Sequence, residues 1–465
     1  MSEVKETKKI PRQEMPMLDP QTRIHNYDEV ALGFNEEQAL LEALRCLQCK
    51  KPKCIEGCPA GVDIPGFINL IKEKEYQKAL DKIREKNCLP GICGRVCPQD
   101  ELCEKNCIQG KKNQPVAIGA LQRFVADWEL KNGSPSKPEI KPSGKKVAII
   151  GSGPAGLAVA NDLALMGHKV TIFEALHAPG GVMLYGIPEY RLPNAIIQKE
   201  VDYIRNLGVE IKTNVMIGKT QTVNELFDAG YDAVFVGTGA GIPWFMEIPG
   251  ETLNGVYTSN EFLMRANLSW QNNKTPQLHV GEKIAIIGGG NVAMDCARTA
   301  LRLGVKETNI IYRRSEAEMP ASKEELKQAL DEGVKFTWLT SPIEFKGNEK
   351  GYVSSIICRS FELGEPDASG RRRPVPIPGS EHEIAIDSVV IAIGQGPNNM
   401  FAYGLTDLET SKNGNIIIDE NGRTSKPGIF AAGDVVTGAA TVVQAIAGAK
   451  KAAQAINDYL MGCDK

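Results

Sequence analysis

Cysteine is the residue type that first suggests chemistry. Nine of the 12 cysteines fall between Cys46 and Cys107, leaving Cys296, Cys358 and Cys463 scattered over the rest of the chain. They form two runs, Cys46-x2-Cys49-x4-Cys54-x3-Cys58-Pro and Cys88-x4-Cys93-x3-Cys97-Pro-x5-Cys103-x3-Cys107. A lone CxxC does not make the paired knuckles of a structural zinc site. The Cys-Pro steps at Cys58 and Cys97 fit runs in which the cysteine before proline ligates the other of two 4Fe-4S clusters. Two clusters are the reading preferred here, with zinc as the alternative. A disulfide framework is disfavoured for a chain expected in a reducing compartment.

Two glycine-rich turns offer a different chemistry, the binding of dinucleotides. Strand-like Val147–Ile150 runs into Gly151-Ser-Gly153-Pro154-Ala155-Gly156 and then a helical pattern. In that setting Gly151 permits the tight turn, Gly153 lets a pyrophosphate approach the backbone and Gly156 allows close helix–strand packing. The helix N-terminus then attracts phosphate. Glu174, 23 residues after Gly151, ends the next strand, where a carboxylate can accept hydrogen bonds from ribose hydroxyls. Far along the chain, Gly428-Ile-Phe-Ala-Ala-Gly433-Asp434 reads as a strand ending in Gly-Asp, followed by Thr441 and another helix. Asp434 then either meets a ligand at the carboxyl edge of a parallel sheet or merely caps a turn. The arrangement resembles two-dinucleotide flavoprotein reductases, in which such an aspartate reaches the FAD ribityl chain. The flavin domain is therefore split around an insertion.

That insertion repeats the unit. In residues 282–314, Gly288, Gly290 and Ala293 hold the three motif positions after strand Ile284–Ile287, and Asn291 and Val292 open the helix. Arg313 falls where the first copy has Glu174, which inverts the local charge. Arg313 and Arg314 can bind a 2′-phosphate by charge-assisted hydrogen bonds, so this site is expected to prefer NADP(H); the alternative is that one or both merely face solvent. Cys296 has no CxxC partner and reads as a small buried residue, not a redox dithiol. Arg371, Arg372 and Arg373 read as a solvated hairpin tip.

The elements that must position these residues follow from the pattern. Residues 1–35, with Pro11, Pro16 and Pro20, read as an extended arm. Asn35 offers an N-cap with Gln38 three residues on, before a helix to about Leu47. Further helices are expected over Pro65–Lys72, on the stripe Tyr76, Ala79, Leu80 and Ile83, and on the stripe Leu121, Phe124, Val125 and Trp128. So small a helical unit has little core of its own, and bound metal would supply part of its folding energy. The fold class is α/β: an α-helical iron–sulfur domain with its arm over 1–131, a linker over 132–144, and two Rossmann-like domains. The FAD domain occupies 145–255 and 391–465 and the NADP(H) domain 256–390.

Composition sets the limits. With 465 residues, 42% hydrophobic and 24% charged, the chain is an ordinary globular protein of about three domains. Its 54 basic and 57 acidic residues, net −3, carry no footprint for nucleic acid or an anionic membrane. No apolar run approaches the ~18–20 residues needed to span a bilayer, and MSEVKETKKI is too charged for a secretory h-region. A cytoplasmic location is expected.

At this point a resemblance covers nearly the whole chain. RCLQCKKPKCIEGCP, CGRVCPQDELCEKNC, GSGPAG, GGVMLYGIPEYRLP, GGGNVAMDCAR, YRRSEAEMPAS and AAGD follow in the order of a family of flavin and iron–sulfur NADPH oxidoreductases. The family includes the small subunit of NADPH-dependent glutamate synthase, the N-terminal part of dihydropyrimidine dehydrogenase and the large subunit of the NADH-dependent reduced ferredoxin:NADP+ oxidoreductase. Length, the ALGF arm and GVDIPGFI are most similar to the last. The resemblance implies FAD, NADP(H) and two 4Fe-4S clusters as cofactors. It implies one cluster on Cys46, Cys49, Cys54 and Cys107, and a second on Cys58, Cys97 and Cys103 with Gln122 as its fourth ligand, Cys88 and Cys93 being spare. Spacing by itself leaves two all-cysteine clusters open and Gln122 as a polar residue beside an apolar stripe. The resemblance also places Gly181, in the Gly180–Pro188 loop, beside the isoalloxazine, and Glu318, Met319 and Pro320 near the nucleotide cleft. Cofactors carry the hydride and the electrons, so no catalytic side chain is expected.

The implied role is a subunit passing electrons between NADPH, FAD and the clusters. The preferred partner is a flavin and iron–sulfur subunit of the ferredoxin–NADP reductase type, which would make a bifurcating transhydrogenase and reach ferredoxin through that partner. The alternative is the glutamate synthase large subunit. An alternative of another class is a non-catalytic nucleotide-binding protein with structural zinc.

Overall fold

The computed structural model describes residues 10–133, 138–271, 278–367, 370–403, 405 and 407–463. Five parallel strands lie in the order Ile429–Ala431, Ala233–Val236, Lys146–Ile150, Lys169–Phe173 and Glu210–Lys212. The central strands read KVAII and KVTIF, one exposed residue then four buried, because a parallel sheet covered by helices on both faces has no polar side. A second parallel sheet takes the order Val256–Thr258, Ser388–Ile391, Lys283–Ile287, Glu307–Tyr312 and Lys335–Trp338. Strand Ile429–Ala431 thus returns to the first sheet after the whole second sheet is made. An antiparallel ribbon, Ala240–Pro243 with Gln395–Pro397, carries the chain across and back. The division expected at 390 falls one residue inside strand Ser388–Ile391.

The inserted domain also contains an antiparallel sheet, Thr340–Gly347, Val353–Pro366, Arg372–Pro376 and His382–Ala385, which the sequence pattern did not announce. Arg372 and Arg373 open its third strand and are exposed, and the Arg372 guanidinium is held by Glu318 at 2.5 Å.

The helical domain consists chiefly of Glu36–Leu44, Ile64–Lys72, Tyr76–Arg84, Pro90–Val96 and Ile118–Asn132. Asn35 and Gln38 form the capping box, but the first helix stops at Leu44, three residues short of the expected Leu47. The interior of the domain is not closed on itself: it shares one apolar core with the first Rossmann-like domain. Phe67, Leu80 and Leu121 belong to the same buried cluster as Val147, Leu157 and Ile446. Of the linker, residues 134–137 lie outside the described residues, while Ser143 N donates to Gly167 O at 2.8 Å and ties its end to the flavin domain.

The arm does more than extend. Pro20–Arg23 is a short helix capped by Asp19, and Arg23, 2% exposed, donates through Nε to Glu332 Oε1 of the NADP(H) domain at 2.7 Å. Arg298 and Arg302 donate to the same carboxylate. Burial alone would raise Glu332, but Arg298 and Arg302 hold it down at about 2. Tyr27 stacks on Trp270 at 4.4 Å, Val30 N donates to Tyr190 O of the flavin domain, and Glu29 pairs with Arg95 and Arg123 of the helical domain. One segment therefore touches all three domains. Among the described residues no helix is long and apolar enough to cross a membrane.

Candidate nucleotide and iron–sulfur sites

At the carboxyl end of strand Lys146–Ile150, Gly151 adopts φ +96° and a Cβ there would meet Gly237 O at 2.5 Å. A Cβ on Gly156 would stand 2.0 Å from Gly151 O, so the helix Pro154–Leu165 lies directly on its own turn. At Gly153 a Cβ would meet nothing within 4 Å, and the turn is open where a pyrophosphate would lie. Gly181, at φ +55°, packs against Gly153; Gly433 packs against Ala155. The structure thus brings Gly151, Gly153, Pro154, Ala155, Gly156, Gly181, Gly433 and Asp434 to one sheet edge.

Two placements differ from a simple ligand contact, and a third keeps capacity for one. The Glu174 carboxylate is buried and turned onto its own loop, accepting from Ser152 N at 3.0 Å, Ser152 Oγ at 2.5 Å and Leu176 N at 2.9 Å. The Thr441 hydroxyl serves the capping box with Gln444 that starts helix Val442–Met461. Asp434 accepts one hydrogen bond, from Ala440 N at 3.2 Å, which does not offset its burial, so its carboxyl is pushed up to about 6. A half-buried carboxylate with acceptor capacity to spare suits a polyol chain.

The second edge has the same construction. Gly288 has φ +143° against Ala392 O, Gly290 has open space at its Cβ position, and helix Asn291–Arg302 starts there. Asn291 Oδ1 accepts from Ser322 N at 2.9 Å, while Val292 is 39% exposed. The two arginines part company. Arg313 is exposed and has no recorded polar partner among the described residues. Arg314 is buried and committed, donating to Asp367 Oδ2 and Arg372 O at 2.8 Å each. Of the two, among the described residues, Arg314 is the one already engaged and Arg313 the one left exposed. Cys296 is fully buried, and burial raises its thiol far above the usual range, as befits a core residue.

The thiols fall into two neighbourhoods. Burial pushes Cys54 up to about 12, with the Cys46 and Cys107 sulfurs adding to the effect; burial likewise raises Cys46, with Cys107 and Cys49 adding. Cys97 is raised first by its hydrogen bond with Cys93, then by burial and by Cys103 and Cys58. Cys58, Cys93, Cys97, Cys103, Gln99 and Gln122 line one cavity, and Val443 of helix Val442–Met461 closes it. Thiols so placed ionise readily only when a cation receives them. Among the described residues no three His, Cys, Asp or Glu side chains converge as one ion would require, and the cavity shared by Cys58, Cys93, Cys97 and Cys103 has sulfurs on several sides. Cys93, spare on the resemblance but left open by spacing, also lines that cavity. Cys88 does not line that cavity; it is buried, and burial foremost raises its thiol, with Asp162, Glu200 and Cys93 adding.

Comparison with known proteins now has a geometry to meet. Residues 23–134 match the family described as dihydropyrimidine dehydrogenase domain II, 4Fe-4S cluster, and residues 145–451 match the pyridine nucleotide-disulphide oxidoreductase family. The small chain of Escherichia coli NADPH glutamate synthase is 37% identical over 97% of this chain and 98% of its own. The chain belongs to that family. It is an NADP(H)-dependent flavoprotein oxidoreductase with a 4Fe-4S domain, and the non-catalytic zinc alternative is set aside. Another member, the beta subunit of NADP(+)-dependent formate dehydrogenase from Moorella thermoacetica, is 44% identical over 88% of this chain, which spans 60% of that subunit. The beta subunit of NADPH-Fe(3+) oxidoreductase from Geobacter sulfurreducens is 38% identical over 88% of this chain and 63% of its own length. Solved structures show the fold. Mycobacterium tuberculosis FprA in complex with NADPH aligns with TM-score 0.59 at 22% identity over 70% of this chain and 85% of its own. Lactococcus lactis thioredoxin reductase aligns with TM-score 0.52 at 23% identity over 68% and 99%.

Proposed function

We propose that the chain carries electrons between NADPH, one FAD and two 4Fe-4S clusters, and hands them to a partner subunit. The observation that carries this reading is the cavity lined by Cys58, Cys97 and Cys103, which is closed by Val443, two residues beyond Thr441 in the helix that follows Gly433-Asp434. Thiols and flavin elements share a wall. Bound FAD would supply the conversion between hydride chemistry and single-electron transfer.

The chain's own residues supply position. Gly151, Gly153 and Gly156 shape the flavin pyrophosphate turn, Glu174 braces it through Ser152, and Asp434 accepts from the ribityl hydroxyls. Gly288, Gly290 and Asn291 do the same for the nicotinamide nucleotide, and Arg313 selects its 2′-phosphate. Cys46, Cys49, Cys54 and Cys107 hold the first cluster; Cys58, Cys97, Cys103 and Gln122 hold the second. Gln122 Nε2 donates to Pro90 O at 3.0 Å, which leaves the amide oxygen as the atom available to iron.

The partner we favour is a flavin and iron–sulfur subunit of the ferredoxin–NADP reductase type, giving a cytoplasmic bifurcating transhydrogenase with ferredoxin as a further acceptor. The glutamate synthase large subunit is the second reading, supported by the full-length match to a glutamate synthase small chain. Native anaerobic purification tests both. The preparation should hold about eight iron atoms per chain and one FAD, and should couple NADPH to ferredoxin and NAD+. Glutamate formation from 2-oxoglutarate and glutamine by the co-purifying complex would establish the second reading instead, and about four irons would remove one cluster.

A further inference from the structure

We propose that Glu200, on flavin-domain helix Asn194–Asn206, is a positioning residue for the second cluster, acting through a single peptide group on the amide of Gln122. Glu200 is 5% exposed, and its Oε1 accepts from Gly91 N at 2.7 Å. Gln122 Nε2 donates to Pro90 O at 3.0 Å. The Gly91 N–H and the Pro90 carbonyl belong to the same peptide plane, so the carboxylate and the amide sit at its two ends. Negative charge at the N–H end polarises the peptide and strengthens its carbonyl as an acceptor. A stronger pull on the Gln122 amide hydrogen then moves electron density toward the amide oxygen, as an outer partner does for a metal-bound side chain. Glycine at 91 permits the approach, since a Cβ there would lie 2.9 Å from Glu200 Oε1 and 3.2 Å from Ile196. The inference rests on the reading that Gln122 completes the second cluster.

The surroundings leave the charge of Glu200 adjustable. Arg84, at the end of helix Tyr76–Arg84, stands 3.9 Å from its Oε2 but spends both Nη atoms on Glu129 of helix Ile118–Asn132, at 2.5 and 2.7 Å. Arg95 faces it from helix Pro90–Val96 and Cys88 from the preceding loop. On its own helix, Tyr203 lies under the Arg84 guanidinium at 4.2 Å. Burial foremost, and Glu129, push the Glu200 carboxyl up, Arg84 and Gly91 N pull it back, and it stands at about 7. Above that pH the ionised carboxylate disfavours an added electron nearby, and below it the neutral acid does not.

The test is potentiometry of the holoprotein monitored by electron paramagnetic resonance at several pH values, with the first cluster as internal reference. In the wild type the potential of the second cluster should fall as pH rises from about 6 to 8, the window around the Glu200 pKa, while that of the first changes less. Glu200→Gln keeps an acceptor for Gly91 without the charge; it should flatten the profile and hold the potential at or above the wild-type value at pH 6. Glu200→Ala should in addition change the g-values of the second cluster. Gln122→Ala controls the reading beneath. A changed spectrum there with an unaltered Glu200→Gln profile would overturn the relay and spare the ligand assignment. An unchanged spectrum in Gln122→Ala would overturn the ligand assignment and the relay together.

Discussion

The two βαβ units share one construction and treat charge in opposite ways. In the first, the residue just after the second strand, Glu174, is folded back on Ser152 and Leu176, so the acid belongs to the scaffold of the turn. In the second, its counterpart Arg313 is exposed, and the neighbouring Arg314 has taken the scaffold duty by binding Asp367 and Arg372 O. A site meant to hold one flavin permanently gains from a rigid, self-satisfied loop. A site that exchanges its nucleotide needs a charge not already spent.

The glycines extend the contrast, and the largest expected effect comes from them. Gly156→Ala forces a Cβ against Gly151 O, an overpacking that costs about 1–3 kcal/mol or more, and the purified protein should lose FAD. The matching position in the second unit already carries a side chain, Ala293, buried at 1% exposure. Ala293→Gly should cost only about 1 kcal/mol of helix stability. Thermal melts and flavin content of the two variants give the answer; equal losses would erase the distinction.

Next in size is Arg313→Ala, which removes a charge-assisted bond worth roughly 1.5–3 kcal/mol, about 10–150-fold in NADPH affinity. NADH affinity should hardly move. A comparable loss for both nucleotides would show that Arg313 serves something other than the 2′-phosphate. Arg314→Ala should weaken NADPH binding by less, and it should instead loosen the antiparallel sheet, visible as faster hydrogen exchange over Val353–Pro366 and Arg372–Pro376 than in Arg313→Ala.

The smallest effect concerns Asp434 in flavin-free protein. Its folded pKa, about 6, lies above the ordinary 3.8, so the folded state holds the extra proton between those values and stability declines as pH rises through them. Asp434→Asn should therefore stabilise the flavin-free protein at pH 7, by about 1–3 kcal/mol at most, and make no difference near pH 3. Its flavin affinity should fall. A melting temperature at pH 7 below that of the wild type would mean the carboxylate has a structural partner that matters more than its burial.

Much of this was legible in the residues. The split parallel sheet follows from two apolar runs ending in glycine turns and a late Gly-Asp strand, since strand-turn-helix spacing is a local property. The thiol neighbourhoods were legible as a set but not as partners: Cys93 shares a cavity with Cys97 because one turn of helix Pro90–Val96 separates them, and spacing cannot tell a ligand from a lining residue. Glu174 and Arg314 were read for charge, whereas their partners Leu176 and Asp367 are set by loops that carry no periodic signal. The antiparallel sheet was missed because its strands, such as RRPVP and HEIA, are largely exposed and lack the apolar pattern that marks the others.

The buried pairing of Arg23 with Glu332, 309 residues apart in sequence, bears on how the chain is made. At a synthesis rate of about 5–20 residues per second, the arm leaves the ribosome roughly 15–60 seconds before its acceptor exists. During that interval the helical domain is already synthesised, with Glu29 at hand and Glu332 absent. Closure of the arm over the inserted domain thus comes as a late event in biogenesis, after the acceptor carboxylate has been translated.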